Sequence, residues 1–260
     1  GVASNLIRLA KQNSTPIILV GHVTKDGSIA GPRTLEHLVD VVCHFEGDRQ
    51  TSLRFVRTLK NRFGPTDEVG CFEMTGDGIV EVSDPSQLFV SGATTPVSGT
   101  CITVAVEGRR ALIAEIQALV VKSSTPQPRR VTNGVDSSRV AMLLAVLERR
   151  AGISLSDKDV YVSTVGGMKI IEPAADLAIA IAIASAVSDK PVAKSVAAFG
   201  EISLSGEIRG VSNPAQRSNE ATRLGHKAIV DSSSGQLKVA LAKALINDPE
   251  LLLLDEPTAS

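Results

Sequence analysis

The sequence predicts an α/β protein of two domains. Its 260 residues are more than one typical domain needs, and 43% of them are hydrophobic, enough for two cores. Short continuous apolar runs of strand length alternate with longer segments of helical periodicity. The small polar stretch SGATTPVSGT at 91–100 interrupts this pattern, and its Pro and Gly predict a linker. We therefore expect domains at 1–90 and 101–231, and a separate tail at 232–260.

The first predicted domain opens with an amphipathic helix over residues 1–13, where Val2, Leu6, Leu9 and Ala10 recur at helical spacing. The apolar run IILVGHV after Pro16 predicts a strand buried on both faces of a parallel sheet. A short helix and four strands are expected after it, in this order: TLEHLVD, VVCHFEG, TSLRFVRTLK, CFEMT and GIVEVS.

The second predicted domain begins with two strands, CITVAVEG and ALIAEIQALVV, joined through Gly108, Arg109 and Arg110. DSSRVAMLLAVLERRAG predicts a helix with Asp136 or Ser137 at its N-cap and Gly152 at its C-terminal end. The remaining segments predict a strand, a closely packing helix of small residues, a strand pair, a helix ended by Gly225, and a strand: DVYVSTVGG, PAADLAIAIAIASAVSD, AAFGEISLSGEI, NPAQRSNEATRLGH and KAIV.

The composition excludes several classes of function. The net charge of −1 gives no strong overall field, so any nucleic-acid contact must come from local basic patches. Trp is absent and Tyr occurs once, which argues against base-stacking platforms of aromatic residues. Cys43, Cys71 and Cys101 form no CxxC pair, so no zinc site, metal centre or disulfide framework is indicated, and we expect reduced, buried thiols in a cytoplasmic protein. The longest apolar stretch, 177–187, is too short to span a bilayer, so no membrane partner is expected.

The first domain contains a candidate sensor and candidate phosphate contacts. His22 follows a predicted buried strand, where RecA-type ATPases place a residue that senses the γ-phosphate; an ordinary surface histidine is the alternative. The loop after it carries Lys25 and Arg33 among glycines, which suits a strand-gripping loop.

Residues 49–62 carry five cations and no acid: Arg49, Arg54, Arg57, Lys60 and Arg62. The pattern predicts either a basic wall for phosphates or an ordinary solvated β face. Strand alternation places Arg54 on the face opposite Phe55 and Arg57.

Two motifs, GHVTKDGSIAGPRTLEHLVD and KNRFGPTDEVG, resemble the RadA (Sms) family of bacterial recombination and repair proteins, and KNRFG is that family's signature. The resemblance covers residues 1 to about 230 in continuous order. It implies the C-terminal portion of a RecA-like ATPase core within a hexameric ring that uses ATP and Mg²⁺ to move along DNA. The implied partners are single- and double-stranded DNA, further copies of the chain, and recombinase and replication proteins.

The resemblance also implies that Lys60 and Arg62 contact the nucleotide of the neighbouring subunit, where a fixed cation stabilises charge that grows on a transferring phosphoryl group. The motif G-x-x-x-x-G-K-[ST] does not occur in these 260 residues. We therefore expect the chain alone to bind no ATP or Mg²⁺ and to hydrolyse none.

The second domain resembles the proteolytic domain of Lon, an α+β fold of the ribosomal protein S5 type. Lon peptidases use a Ser–Lys dyad, and the matching positions here are Ala174 in GGMKIIEPAADLAIA and Ala215 in GEIRGVSNPAQRSNEA. The resemblance therefore implies an inactive platform for ring assembly and duplex DNA rather than a peptidase. Its candidate DNA contacts are long basic side chains, each with ordinary solvated surface as the alternative: Arg109, Arg110, Lys122, Arg129 and Arg130.

The tail, SSSGQLKVALAKALINDPELLLLDEPTA, resembles the signature and Walker B segments of ABC-type ATPases. That resemblance implies Asp255 as a magnesium ligand and Glu256 as the residue that polarises water. Because no P-loop accompanies them, we expect this pair to be non-functional. An ABC-type ATPase fragment is the alternative function, and a helix at 236–247 followed by a strand at 250–254 is the expected structure.

Overall fold

The computed structural model describes residues 2–21, 38–47, 53–66, 69–82, 86, 89–92, 95–107 and 110–245. The chain divides into two compact units, Gly1–Glu81 and Val82–Ser260. The division precedes the predicted linker at 91–100, and the described residues of that stretch belong to the second unit.

The first unit contains one described helix and one antiparallel sheet. The helix α1, Val2–Asn13, has the predicted bounds within one residue. The four strands pair in sequence order and match the four predicted strands: β1 Val41–Gly47, β2 Leu53–Asn61, β3 Val69–Thr75 and β4 Gly78–Glu81. A register shift between Val42 and Cys43 interrupts the β1–β2 pairing.

The strand predicted at residues 17–23 is wrong for the part that the structure describes. Residues 15–21 form no helix or strand, and Ile18 and Val20 are 90% and 96% exposed. A strand must exchange backbone hydrogen bonds with a neighbour. No described strand pairs with these residues, so their β-propensity alone does not make them a strand.

The second unit is built on a six-stranded mixed sheet with the order β12-β9-β5-β6-β8-β7. Its strands are β5 Thr100–Glu107, β6 Arg110–Lys122, β7 Arg130–Asn133, β8 Lys158–Thr164, β9 Val196–Ala198 and β12 Ala228–Val230. β10 Glu201–Ile202 and β11 Ile208–Arg209 form a separate two-stranded ladder. The predicted β5–β6 hairpin is confirmed. The pairs β5–β9, β9–β12 and β7–β8 are parallel, so the α/β class is confirmed at this level.

Four helices accompany this sheet in the described part of the unit: α2 Ser137–Val146, α3 Asp176–Ser188, α4 Pro214–Arg223 and α5 Leu237–Leu245. Asp136 caps α2 by accepting from the N–H of Arg139, as predicted. A single π-helical turn, Leu147–Ala151, continues α2 to Gly152, whose φ of 77° ends it.

The helices cover the two faces of the sheet unequally. The small-residue helix α3 packs on β5 and β6, and α2 and α5 pack against α3 on the same side. On the opposite face α4 packs on β5 and β6, where Ala221 joins a core with Val104, Ile113 and Phe199. The predicted tail helix is confirmed as α5, whose Leu237 and Ala240 are buried. The predicted strand at 250–254 lies outside the described residues.

Within the described part of the chain, no helix is both long and apolar enough to cross a membrane.

Candidate functional site

The KNRFG turn, Lys60–Gly64, begins within the last two residues of β2. Lys60 Nζ donates to the carbonyl oxygen of Val39 at 2.8 Å, which fastens this side chain to the segment before β1. The N–H of Arg62 donates to the carbonyl oxygen of Asp40 at 3.0 Å, and Arg62 Nη1 lies 3.1 Å from Asp40 Oδ1. The Arg62 side chain is 67% exposed. An ion pair this exposed is weak, so Arg62 can turn toward another anion at small cost.

The side chain of Asn61 closes the turn from within. Its Oδ1 accepts from the N–H of Phe63 at 3.0 Å, and its Nδ2 donates to the carbonyl oxygen of Pro65 at 3.2 Å. Phe63 is 79% exposed. The turn therefore presents Arg62 and Phe63 outward on a fixed backbone. Sequence reasoning named the two cations and missed Asn61, although Asn is a typical turn-closing residue.

The two arginines of β2 lie on opposite faces, as the alternation predicts. Arg57 lies 5.9 Å from the centroid of the Phe55 ring and 3.1 Å from Glu46 Oε1. Arg54, on the other face, donates through Nη1 to the carbonyl oxygen of Leu53 at 2.7 Å. The two arginines therefore point to opposite sides of the sheet and do not form one basic wall.

Seven predicted site residues lie outside the described residues: His22, Lys25, Arg33, Arg49, Arg109, Asp255 and Glu256. Their roles stay predictions.

In the second unit, the two positions predicted to match the Lon dyad differ in burial. Ala174 is 2% exposed and lies in the 3₁₀ turn Pro173–Ala175 that leads into α3. Ala215 is exposed in the first turn of α4. Neither methyl side chain can act as a nucleophile or a base. The buried cation of this region is Arg217, which sequence reasoning missed.

Arg217 is fully buried and joins three segments of the second unit. Its Nη1 and Nη2 donate to the two carboxylate oxygens of Glu172 at 2.9 and 2.6 Å, and Nη1 also donates to the carbonyl oxygen of Val104. Glu172 in turn accepts from the N–H of Val106 at 2.9 Å. This bidentate pair ties β5 to the turn before α3 and to α4. The available sequence signal was the spacing of Arg217 four residues before the buried Ala221.

A second buried ionic group lies at the start of α3. The carboxylate of Asp176 accepts from Arg139 Nε at 2.9 and 3.0 Å and from the N–H of Ile202 at 3.0 Å. Burial raises the pKa of Asp176, and the hydrogen bonds from Arg139 and Ile202 act in the opposite direction. The same bond to Asp176 raises the pKa of the Arg139 guanidinium. The pairs Arg217–Glu172 and Arg139–Asp176 both stabilise the fold, and we assign neither of them a catalytic or binding role.

Four cations lie where β6 ends and β7 and β8 begin, and we call them the basic end: Lys122, Arg129, Arg130 and Lys158. Lys122 and Lys158 are cross-strand partners, and like charges at such positions disfavour strand pairing. The N–H of Arg129 donates to Asp159 Oδ1 at 2.8 Å, and this hydrogen bond holds the pKa of Asp159 below its usual value.

The other two cations are tethered to the protein. Arg130 Nη2 donates to the carbonyl oxygen of Leu155 at 2.9 Å, and Lys158 Nζ lies 3.5 Å from Asp157 Oδ1. The structure thus brings together three of the predicted contacts, Lys122, Arg129 and Arg130. Arg110 begins β6 and lies at its opposite end.

Among the described residues, no cluster of three His, Cys, Asp or Glu side chains is placed to hold a metal ion.

Comparison with known proteins gives one family model and several relatives. The family model described as subunit ChlI of Mg-chelatase matches residues 139–234. The DNA repair protein RadA of Mycobacterium tuberculosis is 52% identical over 224 residues, 86% of this chain and 47% of that protein. RadA of Mycolicibacterium smegmatis is 52% identical over 231 residues, 87% of this chain and 49% of that protein.

RadA of Streptococcus pneumoniae is 46% identical over 244 residues, 94% of this chain and 58% of that protein. A match of this length extends beyond Asp231, so the similarity enters the predicted tail. The chain spans about half the length of the curated relatives that it matches.

Proposed function

We infer from these relatives that the chain is part of a RadA-type DNA repair protein, and we propose that it binds DNA within that protein. The observation that carries this is 46–52% identity to RadA proteins over 86–94% of the chain. The relatives also confirm the resemblance to the RadA family. Because the chain covers 47–58% of those proteins, the activity and partners of the whole protein are part of the proposal.

The basic end supplies the proposed contact to duplex DNA. Its four cations lie close together and outnumber the two acids among them, Asp157 and Asp159, which makes a local basic patch on a protein of net charge −1. A phosphate between Lys122 and Lys158 would relieve their cross-strand repulsion. Each phosphate that these side chains neutralise releases counterions, so affinity should depend steeply on salt.

The KNRFG turn supplies the proposed contact to a nucleotide. The exposed guanidinium of Arg62 can reach a phosphate of a neighbouring subunit, and Lys60 would follow when it leaves Val39. In the whole protein, ATP and Mg²⁺ would supply the phosphoryl transfer that drives movement along DNA. The residues described here would supply cations and their positions.

The proposal extends to the architecture of the whole protein. We assign the first unit to the end of a RecA-like core and the second to an inactive Lon-like platform, within a cytoplasmic hexameric ring that acts in recombination. This assignment has to account for two observed features: the antiparallel sheet of the first unit and the buried Arg217–Glu172 pair of the second.

Neither alternative function gains support. A Lon-like peptidase would need a nucleophile and a base where Ala174 and Ala215 stand. An ABC-type fragment would use the tail as part of an ATP site, but its helix α5 is a packing element of the second unit, with Leu241 and Ala244 buried.

Fluorescence anisotropy of labelled duplex DNA across a salt series tests the proposal. We expect affinity to fall log-linearly with salt. The substitution Lys122→Gln should make the slope shallower by about 0.9, because one phosphate is no longer neutralised. Lys238 is exposed on α5, and Lys238→Gln removes the same charge elsewhere and should leave the slope unchanged. No binding at low salt, or equal slopes for both variants, would overturn the proposal.

A further inference from the structure

Glu115 on β6 is a buried carboxylate, 4% exposed, whose partners are all neutral. Its Oε2 accepts from the N–H and the hydroxyl of Ser91 at 2.9 and 2.8 Å, and its Oε1 accepts from Gln117 Nε2 at 2.9 Å. Among the described residues no lysine or arginine forms an ion pair with Glu115, whereas Asp176 and Glu172 each bind an arginine. Burial of a carboxylate without a cation is costly, so this position calls for one.

A cavity of about 250 Å³ lies beside this carboxylate. The cross-strand pairs Ile102–Glu115 and Thr100–Gln117 form its floor. Described residues of 90–97 and residues 192–194 border it, and most of its lining is apolar. Cavities for drug-sized ligands measure about 300–1,000 Å³, so this one suits a molecule of only a few heavy atoms.

The polar side chains around the cavity already use donors within the protein. The hydroxyl of Thr100 donates to the carbonyl oxygen of Val97 at 2.9 Å. His226 Nδ1 lies 2.6 Å from the carbonyl oxygen of Lys194, which can only accept, so Nδ1 carries the proton. Burial lowers the pKa of His226 and favours the neutral ring, whose Nε2 is then an acceptor. The acceptors that remain complement a ligand rich in N–H donors.

We propose that this cavity binds a small organic cation, an ammonium or guanidinium group on a short apolar chain, with its N–H groups donating to Glu115. The ligand would supply the charge that the buried carboxylate lacks, and hydrogen bonds between two charged groups are stronger than neutral ones. Its apolar chain would lie against Val90 and Val196, which line the same cavity. The residues involved belong neither to the basic end nor to the KNRFG turn, so the inference goes beyond the proposed function.

Lys194 is the cation of the chain itself that could serve Glu115, because it also borders the cavity. The residue is exposed, and the space of about 250 Å³ beside the carboxylate remains with Lys194 in place. The arrangement therefore favours a separate ligand over this lysine.

Calorimetric titration of the whole chain with n-butylammonium chloride at neutral pH tests the proposal. 1-Butanol has the same chain without the charge and is the matched ligand control. We expect saturable binding of n-butylammonium, about 10-fold or more tighter than that of 1-butanol, because a hydrogen bond to a charged group contributes on that order.

Glu115→Gln keeps the size and one acceptor oxygen of the side chain but removes its charge. It should weaken n-butylammonium binding by about 10-fold or more. Glu201→Gln is the matched control, because that carboxylate is half-buried and already lies 3.5 Å from Arg139 Nη2, and it should leave the affinity unchanged.

A second pair of variants guards against a folding defect at Glu115. Ala193→Leu places a larger apolar side chain at the border of the cavity, leaves Glu115 unchanged and should weaken binding. Ala215→Leu makes the same change at an exposed position of α4 and should not.

Each other outcome overturns the proposal in a recognisable way. Failure of the unchanged chain to bind n-butylammonium shows that the cavity takes no organic cation. Equal binding of 1-butanol assigns it to an uncharged ligand. Affinity that survives Glu115→Gln rejects the carboxylate as the partner. Binding that appears only after Lys194→Ala shows that this lysine supplies the cation itself.

Discussion

At the scale of single residues, Arg217 is the side chain whose charge most constrains the second unit. It is completely buried, and its partner Glu172 is only 26% exposed. Removing one member of such a pair leaves the other charge without compensation, which costs more than the pair itself contributes. The guanidinium therefore links α4, which carries it, to β5 through buried hydrogen bonds.

Arg217→Ala should lower the free energy of unfolding by about 3–5 kcal/mol. Arg223→Ala is the matched control on the same helix, because its pair with Glu220 is half exposed, and it should cost less than about 1 kcal/mol. Urea unfolding followed by circular dichroism measures both. Equal losses would show that burial does not decide the effect.

We expect His226 to make the stability of the fold depend on pH. Burial lowers the pKa of His226, and its Nδ1 lies 2.6 Å from the carbonyl oxygen of Lys194. The unfolded chain binds a proton near pH 6.5, while the folded chain resists it, so stability falls as pH drops through that value. We expect His226→Gln to lose less stability than the unchanged chain between about pH 7.5 and 5.5. Parallel curves for the two proteins in thermal melts would contradict this.

The sequence identified some residues of the candidate site and not others, for physical reasons. Lys60 and Arg62 belong to a short motif that can be read directly. The closing role of Asn61 had a local signal, because Asn is typical of turns and its partner Pro65 is four residues away. The burial of Arg217 depends on its pairing with Glu172, 45 residues earlier in the chain, which sequence spacing does not reveal.

At the scale of elements, the turn between β7 and α2 depends on Gly134. Its φ is 78°, and its carbonyl oxygen accepts from the N–H of Ile170 at 2.8 Å. A Cβ there would lie 2.0 Å from Thr164 Oγ1 and 2.5 Å from the carbonyl oxygen of Met168. This close approach fixes the path of the chain past the end of β8.

Gly134→Ala and Gly152→Ala separate strain from collision. Gly152 has almost the same φ, 77°, but nothing lies within 4 Å of a Cβ built on it. Gly152→Ala should therefore cost only the left-handed conformation, about 1–2 kcal/mol. Gly134→Ala should cost that amount plus about 1–3 kcal/mol for the forced displacement of its neighbours. Urea unfolding of the two variants decides, and equal costs would mean that Thr164 moves aside freely.

Elements were predictable where local pattern and packing agree. α3 is apolar on every side and is buried on every side, so its composition alone located it. The apolar run at 17–21 has the residue types of a buried strand but forms no described strand. A strand also needs a neighbouring strand to pair with, and the run itself does not encode that partner. β7 is four residues long and its sequence predicts no strand, since so short a segment shows no period.

At the scale of the whole molecule, the division into two units predicts independent responses to mutation. Leu53 in β2 is 3% exposed, and Leu53→Ala should destabilise the first unit by about 2–5 kcal/mol because the cavity it leaves removes apolar packing. Peptide-resolved hydrogen exchange should show faster exchange in β1–β4 and unchanged protection in β5, β6 and α3. Faster exchange throughout would show that the two units unfold as one.

The composition of the chain also gives the second unit an optical label of its own. Tyr161 is the single tyrosine of a chain without tryptophan, and it lies in the middle of β8. Ultraviolet emission excited in the tyrosine band therefore arises from one ring, at one place in one sheet. The unmodified polypeptide can therefore report the unfolding of that sheet without an added dye. The first unit contains no tyrosine or tryptophan and adds nothing to this emission.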